Sequence, residues 1–205
     1  MTVRGKLIQQ IFPEDIYDLV TERASEDEFL DFKKVLLHPN LPKDQAEREK
    51  NDFALDCIAF ANAQGGHIIV GVEEDEDHRA SGLSPMDSYQ AQQIAMTCRD
   101  IAIARTKPNI PQLQAQPFRL VEGEWLVIVH VPESISKPHM WLFNDQMRFV
   151  IRDNDRKRIM AYDEIREMLL RGPREEQMRR LSGEIESLRS LFAELVSKLQ
   201  GRGQP

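Results

Sequence analysis

Four acids crowd one short stretch, "SEDEFLDFKK": Glu26, Asp27, Glu28 and Asp31 stand directly ahead of Lys33 and Lys34. On a strand, residues two apart point the same way, so Asp31 and Lys33 would set a carboxylate beside an ammonium. That pairing suits metal-assisted phosphodiester cleavage. A carboxylate holds Mg2+ or Mn2+, hard ions that take oxygen ligands. A lysine neutralises charge on the phosphate or orients water. Glu26 lies too far back to share one helix face with Asp31 and would reach the site from the preceding turn. Glu73, Glu74 and Asp75 end a later strand and offer a third carboxylate. The competing reading is a solvated acidic turn, and Asp-x-Lys alone does not separate the two.

The elements that would position these groups alternate between strand and helix. Residues 5–24 read as a helical arm, with Pro13 at a helix start and Glu14 and Asp15 in its first turn. "FLDFKKVLL" reads as a strand, and residues 46–63 as a helix with Phe53, Cys57, Ile58 and Phe60 inward. Gly65-Gly66 then ends that helix, with backbone N–H groups that either cap a turn or meet a phosphate. "HIIVGVE" is a buried strand, 73–78 a loop, and 87–106 a second core helix capped by Asp87 or Ser88. A hairpin flanks Gly123, "MRFVIR" alternates as one strand, and 161–172 is a helix. The fold class is mixed α/β (α+β): a small mixed sheet with flanking helices, plus a C-terminal coiled-coil helix.

That last helix follows a heptad. Met178, Ile185, Phe192 and Leu199 take one seam position, and Leu181, Leu188 and Leu195 the other. Leucine throughout the second position favours a parallel dimer, with Glu184 and Arg189 pairing between chains. Self-association through residues 174–200 is expected; the alternative is a helix docked on its own domain. The division is an arm over 1–24, a domain over 25–172 and a coil over 173–205.

The 205 residues carry a net charge of −7, which argues against a generally basic nucleic-acid binder. The charge is uneven, however: residues 1–100 hold 10 basic against 20 acidic groups, and 101–205 hold 17 against 14. Arg148, Arg152, Arg156, Lys157 and Arg158 form a local basic strip that reads either as a salt-bridged surface or as a track for a phosphate backbone. Lys137, beside His139, is a further phosphate candidate. Cys57 and Cys98 form no C-x-x-C and read as buried small residues, which fits a reducing cytoplasm. No apolar run is long enough to span a bilayer and no basic-then-apolar signal follows Met1, so neither a leader nor membrane association is expected. None of His38, His67, His78, His130 and His139 has metal-ligand spacing with another. His67 and His130 fall in strands and read as structural. Asn62 reads as a hydrogen-bonding partner of the turn that follows it.

Taken together, "SEDEFLDFK" and "IAFANAQGGHIIVGVEED" resemble the Schlafen AlbA-2 family, whose members carry E-x4-E-F-K followed by F-A-N-x-x-G-G-x4-G-V-x-D. "SGL" (81–83), "VPESISKPHMW" (131–141) and "RFVIRDNDRKRIMAYDEI" (148–165) continue the likeness, which covers about residues 20–170. The resemblance implies a nucleic-acid-binding domain in which three carboxylates hold Mg2+ or Mn2+ and cleave structured RNA such as tRNA. Residue by residue it places those acids at Glu26, Asp31 and Glu74, with Lys33 beside the scissile phosphate. Asp31 is one methylene shorter than the family's glutamate, and Glu74 one longer than its aspartate, with Asp75 as a substitute. Asp153-Asn154-Asp155 replaces the family's Gly-Ser. The expected function is a metal-dependent endoribonuclease acting on RNA (or DNA), in phage defence or stress response. The alternative is a non-catalytic dimeric DNA- or RNA-binding regulator, or an adaptor. The nuclease reading expects Asp31→Ala to abolish cleavage and leave the fold intact.

Overall fold

A computed structural model describes Val3, residues 5–36, 41–121 and 123–171, Met178, residues 181–183 and 185–187, and Arg189. The chain divides into two units, 1–161 and 162–205. The first is built of α1 (Pro13–Thr21), β1 (Leu30–Lys33), α2 (Lys43–Asn62), β2 (Gly65–Val70), β3 (Val72–Glu74), β4 (Ala80–Leu83), α3 (Ser88–Arg105), β5 (Thr106–Lys107), β6 (Gln114–Arg119), β7 (Trp125–Pro132), β8 (Met140–Phe143), β9 (Gln146–Arg148), β10 (Val150–Asp153) and β11 (Arg156–Ile159). This is the mixed α+β class expected.

Four strands form the central sheet in the order β1-β2-β7-β6. β1 runs parallel to β2, and β7 is antiparallel to both β2 and β6. Successive residues face opposite sides, so each strand feeds two cores. Ile68, Val70, Val127 and Val129 pack with Phe53, Ile58 and Phe60 of α2 and Cys98 of α3. Ile69, Leu126 and Ile128 pack on the other side with Ile16 and Leu19 of α1. Val3, Ile8 and Ile11 belong to that second core, so the N-terminal arm is part of the same body rather than an appendage. Aliphatic β-branched residues dominate β2 and β7 because both faces of these strands are covered.

Two local expectations are corrected. Gly65-Gly66 does not cap α2; the helix closes at Asn62, and both glycines open β2. Their role is close packing. A Cβ on Gly66 would lie 2.5 Å from the Phe60 ring and 2.7 Å from the Phe29 carbonyl oxygen, and Gly65 sits at φ +77° against the 131–133 backbone. Gly66→Ala should therefore destabilise the fold by about 1–3 kcal/mol through overpacking, read as a lower urea midpoint at unchanged slope. A midpoint equal to wild type would show that the Phe60 ring gives way freely. "MRFVIR" is likewise not one strand. It breaks at Phe149, with β9 pairing to β8 and β10 pairing to β11.

The second unit is helical over 162–171. Met178, Leu181 and Ile185 of the heptad seam are exposed. Glu184, Leu188, Phe192, Leu195 and Leu199 lie outside the described residues. Among the described residues no helix is long and apolar enough to cross a membrane.

Candidate functional site

Asp31 stands opposite Ile68 in the β1–β2 register, which turns it and Lys33 toward the face that α2 covers. Lys33 Nζ lies 2.9 Å from Asp31 Oδ2, so the side-by-side pair expected from the spacing is formed. It also lies 3.3 Å from Oδ2 of Asp56, an α2 residue that the motifs did not single out. Arg152 enters from β10. Its Nη1 donates to Asp31 Oδ1 at 3.0 Å and its Nη2 to the Leu30 carbonyl at 3.1 Å. Its Nε donates to the Asp27 carbonyl at 3.1 Å, and the guanidinium lies 4.7 Å from the centre of the Phe60 ring. From β11, Lys157 Nζ donates to Asp56 Oδ1 at 2.7 Å and Asp52 Oδ1 at 2.6 Å. Cations and anions therefore alternate: Arg152, Asp31, Lys33, Asp56, Lys157, Asp52. Asp31 is 3% exposed and Asp56 2%. Buried charges of this kind persist only when paired.

Glu26 Oε1 accepts the Phe32 N–H at 2.6 Å, which brings its carboxyl alongside the Asp31–Lys33 strand from the preceding turn. Burial first, then the charge of Asp31, push the Glu26 carboxyl up to about 8, with Glu74 adding in the same direction. Glu74 ends β3. Burial raises it foremost and Asp31 adds, while His78 opposes. The three expected carboxylates thus come from separate elements and act on one another electrostatically. Burial works against the Lys33 ammonium, but Asp56 and then Asp31 more than reverse this and hold it charged. Asp75, the expected substitute ligand, instead holds its own turn. It accepts N–H groups of Asp77 and Arg79 at 2.9 and 3.1 Å and pairs with Arg23.

Glu26 carries a testable pH signature. Folded, it keeps its proton up to about pH 8; unfolded, it releases it near its ordinary value of 4.5. Between those values the folded state binds more protons, so this contribution to stability is fully present below 4.5 and is lost as pH rises through about 8. In EDTA, the unfolding free energy should fall from about pH 5 to about pH 8, and Glu26→Gln should flatten that decline. Parallel urea-denaturation profiles for the two proteins would rule out a raised Glu26.

The basic strip divides. Arg152 is not a surface group: its side chain is 2% exposed, and its donors are committed to Asp31 and to backbone carbonyls. Lys157 is committed to Asp52 and Asp56. Lys137 donates to the Ala63 carbonyl just past α2 and pairs with Glu133 at 2.7 Å. Arg158 pairs with Asp153 at 3.1 Å. Arg148, 5.3 Å over the Trp141 ring, and Arg156 remain outermost. Charge counting cannot separate these fates, because it does not say which cations the fold turns inward. A polar residue on an apolar helix stripe was the available signal for Asp56, which stands three after Phe53 and four before Phe60.

Residues 26–161 match the family described as Schlafen, AlbA_2. The chain belongs to the Schlafen AlbA_2 family. No curated protein matches it. Two solved structures are similar in part. The DIP2311 protein of Corynebacterium diphtheriae is 18% identical at a TM-score of 0.46, over 75% of this chain and 27% of that one. The N-terminal domain of a putative ATP-dependent DNA helicase RecG-related protein from Nitrosomonas europaea is 17% identical at 0.42, over 75% of this chain and 97% of that one. This chain thus spans about a quarter of the DIP2311 chain.

Within the Schlafen AlbA_2 domain, the donor chemistry suits a hard divalent ion. Glu26, Asp31 and Glu74 offer only carboxylate oxygens. Asp31 Oδ2 and Asp56 Oδ2 are buried without accepting a hydrogen bond, although both face Lys33 at ion-pair distance. Among the described residues, no three acidic, histidine or cysteine side chains already stand close enough to share one ion. Arg152 and Lys33 hold the Asp31 oxygens instead.

Proposed function

We propose that this Schlafen AlbA_2 protein acts on nucleic acid as a metal-dependent endoribonuclease, with structured RNA such as tRNA as substrate and stress response or phage defence as its setting. What supports this reading is that Glu26 and Glu74, from separate elements, both feel the charges of Asp31 and of the Lys33 ammonium, although among the described residues no three acids already stand close enough to share one ion. Glu26, Asp31 and Glu74 would hold Mg2+ or Mn2+, which when bound supplies Lewis-acid stabilisation of charge on the phosphate. Lys33, kept cationic by Asp31 and Asp56, neutralises the phosphate beside it. Arg148 and Arg156 meet the flanking backbone, so binding weakens steeply with salt. Arg152 and Lys157 position the acids rather than touch RNA.

The test is cleavage of end-labelled tRNA in Mn2+ and in EDTA, by wild type and by Glu74→Gln, whose partly exposed side chain lies outside the buried charge network. Cleavage in Mn2+ alone, lost in the folded variant, is the expected result. Binding without cleavage under every metal would support the second reading, a non-catalytic DNA- or RNA-binding regulator or adaptor. The observation favouring that reading is that both Asp31 oxygens are already held by Arg152 and Lys33. Either function would act in a self-associated form through residues 174–200, given the exposed seam at Met178, Leu181 and Ile185. Light scattering on the full chain and on residues 1–172 reads that directly.

A further inference from the structure

On the opposite side of the sheet from Asp31, two histidines meet that the spacing in the chain kept apart. β2 and β7 pair with His67 opposite His130. His67 Nε2 and His130 Nδ1 face each other 3.1 Å apart, with ring centres 4.8 Å apart and planes tilted by 42°. His67 is 2% exposed, whereas His130 is half-buried. Both look into a cavity of about 380 Å³ that Lys6, Gln64 and Glu133 also line. Lys6 is tied to Asp15 and Glu133 to Lys137, which leaves the imidazoles without a charged partner there. The far nitrogen of His67, Nδ1, is buried and makes no hydrogen bond.

We propose that His67 and His130 form a binding site for a borderline divalent transition-metal ion of the Zn2+ or Ni2+ kind, separate from the oxygen-rich acid cluster. Zinc takes imidazole nitrogen at about 2.0–2.1 Å, so two nitrogens on one tetrahedral ion stand about 3.3 Å apart. The observed 3.1 Å is the length of a hydrogen bond between the rings, and a shared ion would replace that bond and turn each ring so that its nitrogen aims at the ion. Metal binds the neutral imidazole. Burial first, then His130, push His67 down to about 4, and burial lowers His130 as well, so both are neutral at pH 7. A proton on Nδ1 of His67 leaves Nε2 as its lone-pair donor. His130 reaches solvent, moves its proton from Nδ1 to Nε2, and offers Nδ1. No proton is released overall. The cavity gives water room to complete the coordination. Imidazole donors suit zinc, nickel and copper and not Mg2+, so the two sites would sort ions by hardness.

The experiment is a calorimetric titration of the tag-free, metal-stripped full chain with Zn2+ in excess Mg2+, repeated with His130→Gln and Glu74→Gln. One Zn2+ per chain is expected, weakened about tenfold or more by His130→Gln, since even an outer partner of a ligand is worth that much. Glu74→Gln should leave it unchanged. In wild type, 15N spectra should show Zn2+ shifting Nε2 of His67 and Nδ1 of His130, a readout that survives if His130→Gln fails to fold. Zn2+ binding indifferent to His130→Gln in a folded protein, no binding at all, or unmoved imidazole nitrogens would overturn the assignment. None of these readouts depends on cleavage, so the site stands or falls apart from the nuclease proposal.

Discussion

Asp31→Ala should lower the unfolding free energy by about 3–5 kcal/mol, because it strands the buried Arg152 guanidinium without its counter-ion. The Asp31–Arg152 contact is 3.0 Å long, and the two side chains are 5% and 2% exposed. Lys33 loses its nearer partner in the same substitution. Native domains are held by only about 5–15 kcal/mol, so the variant should sit near the edge of folding. This corrects the expectation, drawn from the motif alone, that Asp31 is dispensable to the fold. The correction also changes how activity is read. Loss of cleavage in Asp31→Ala would report unfolding as readily as a missing ligand, and for that reason Glu74→Gln is the better probe of the chemistry. A double-mutant cycle with Arg152→Met sharpens the claim. If the pair is buried and mutually compensating, the double variant should recover much of the loss. An unfolding free energy for Asp31→Ala, from urea denaturation, within about 0.5 kcal/mol of wild type would show that Arg152 finds water or another anion once Asp31 is gone.

The parts of this site that were legible in the chain are the local ones. The i, i+2 rule placed Asp31 beside Lys33 once the strand was assumed, and the β-branched run of β2 marked a buried strand. The apolar stripe of α2 gave the inner face. The parts that were not legible depend on partners far along the chain. Arg152 and Asp31 are 121 residues apart, and Lys157 and Asp56 are 101 apart. No local pattern says that β10 and β11 form a hairpin whose cations insert among the acids of β1 and α2. "MRFVIR" concealed this, since its alternation looks like one strand while its two halves pair with different neighbours. Likewise, His67 and His130, 63 positions apart, show no metal-ligand spacing; only the β2–β7 register brings them together. Gly65-Gly66 shows the same limit in another form. A glycine pair after a helix fits a cap, but here both glycines belong to a strand pressed against Phe60, and packing is invisible to local composition.

Asn62→Leu should be the other severe change, at about 3 kcal/mol or more, because it orphans several buried polar groups at once. Position in the chain ties this side chain to the following turn; the structure sends it much further. Asn62 Nδ2 donates to the His139 carbonyl and to the Val150 carbonyl, each at 2.8 Å, and Oδ1 accepts the His139 N–H at 2.7 Å. The last residue of α2 is thereby bonded to segments 77 and 88 positions later, just before β8 and at the start of β10. These contacts are buried. Leucine fills a similar volume but leaves one N–H and two carbonyls without partners, and each orphaned buried group costs about 1–3 kcal/mol. The consequence reaches the acid cluster, because Val150 begins the strand that delivers Arg152. Loosening that end should free the β10–β11 hairpin before the central sheet gives way. Hydrogen exchange on a folded Asn62→Asp variant, which keeps the acceptor and loses the donors, should show faster exchange across 150–159 than across β2 and β7. Uniform acceleration over the whole domain would mean that Asn62 supports global stability alone and does not govern how the hairpin's cations meet the acids.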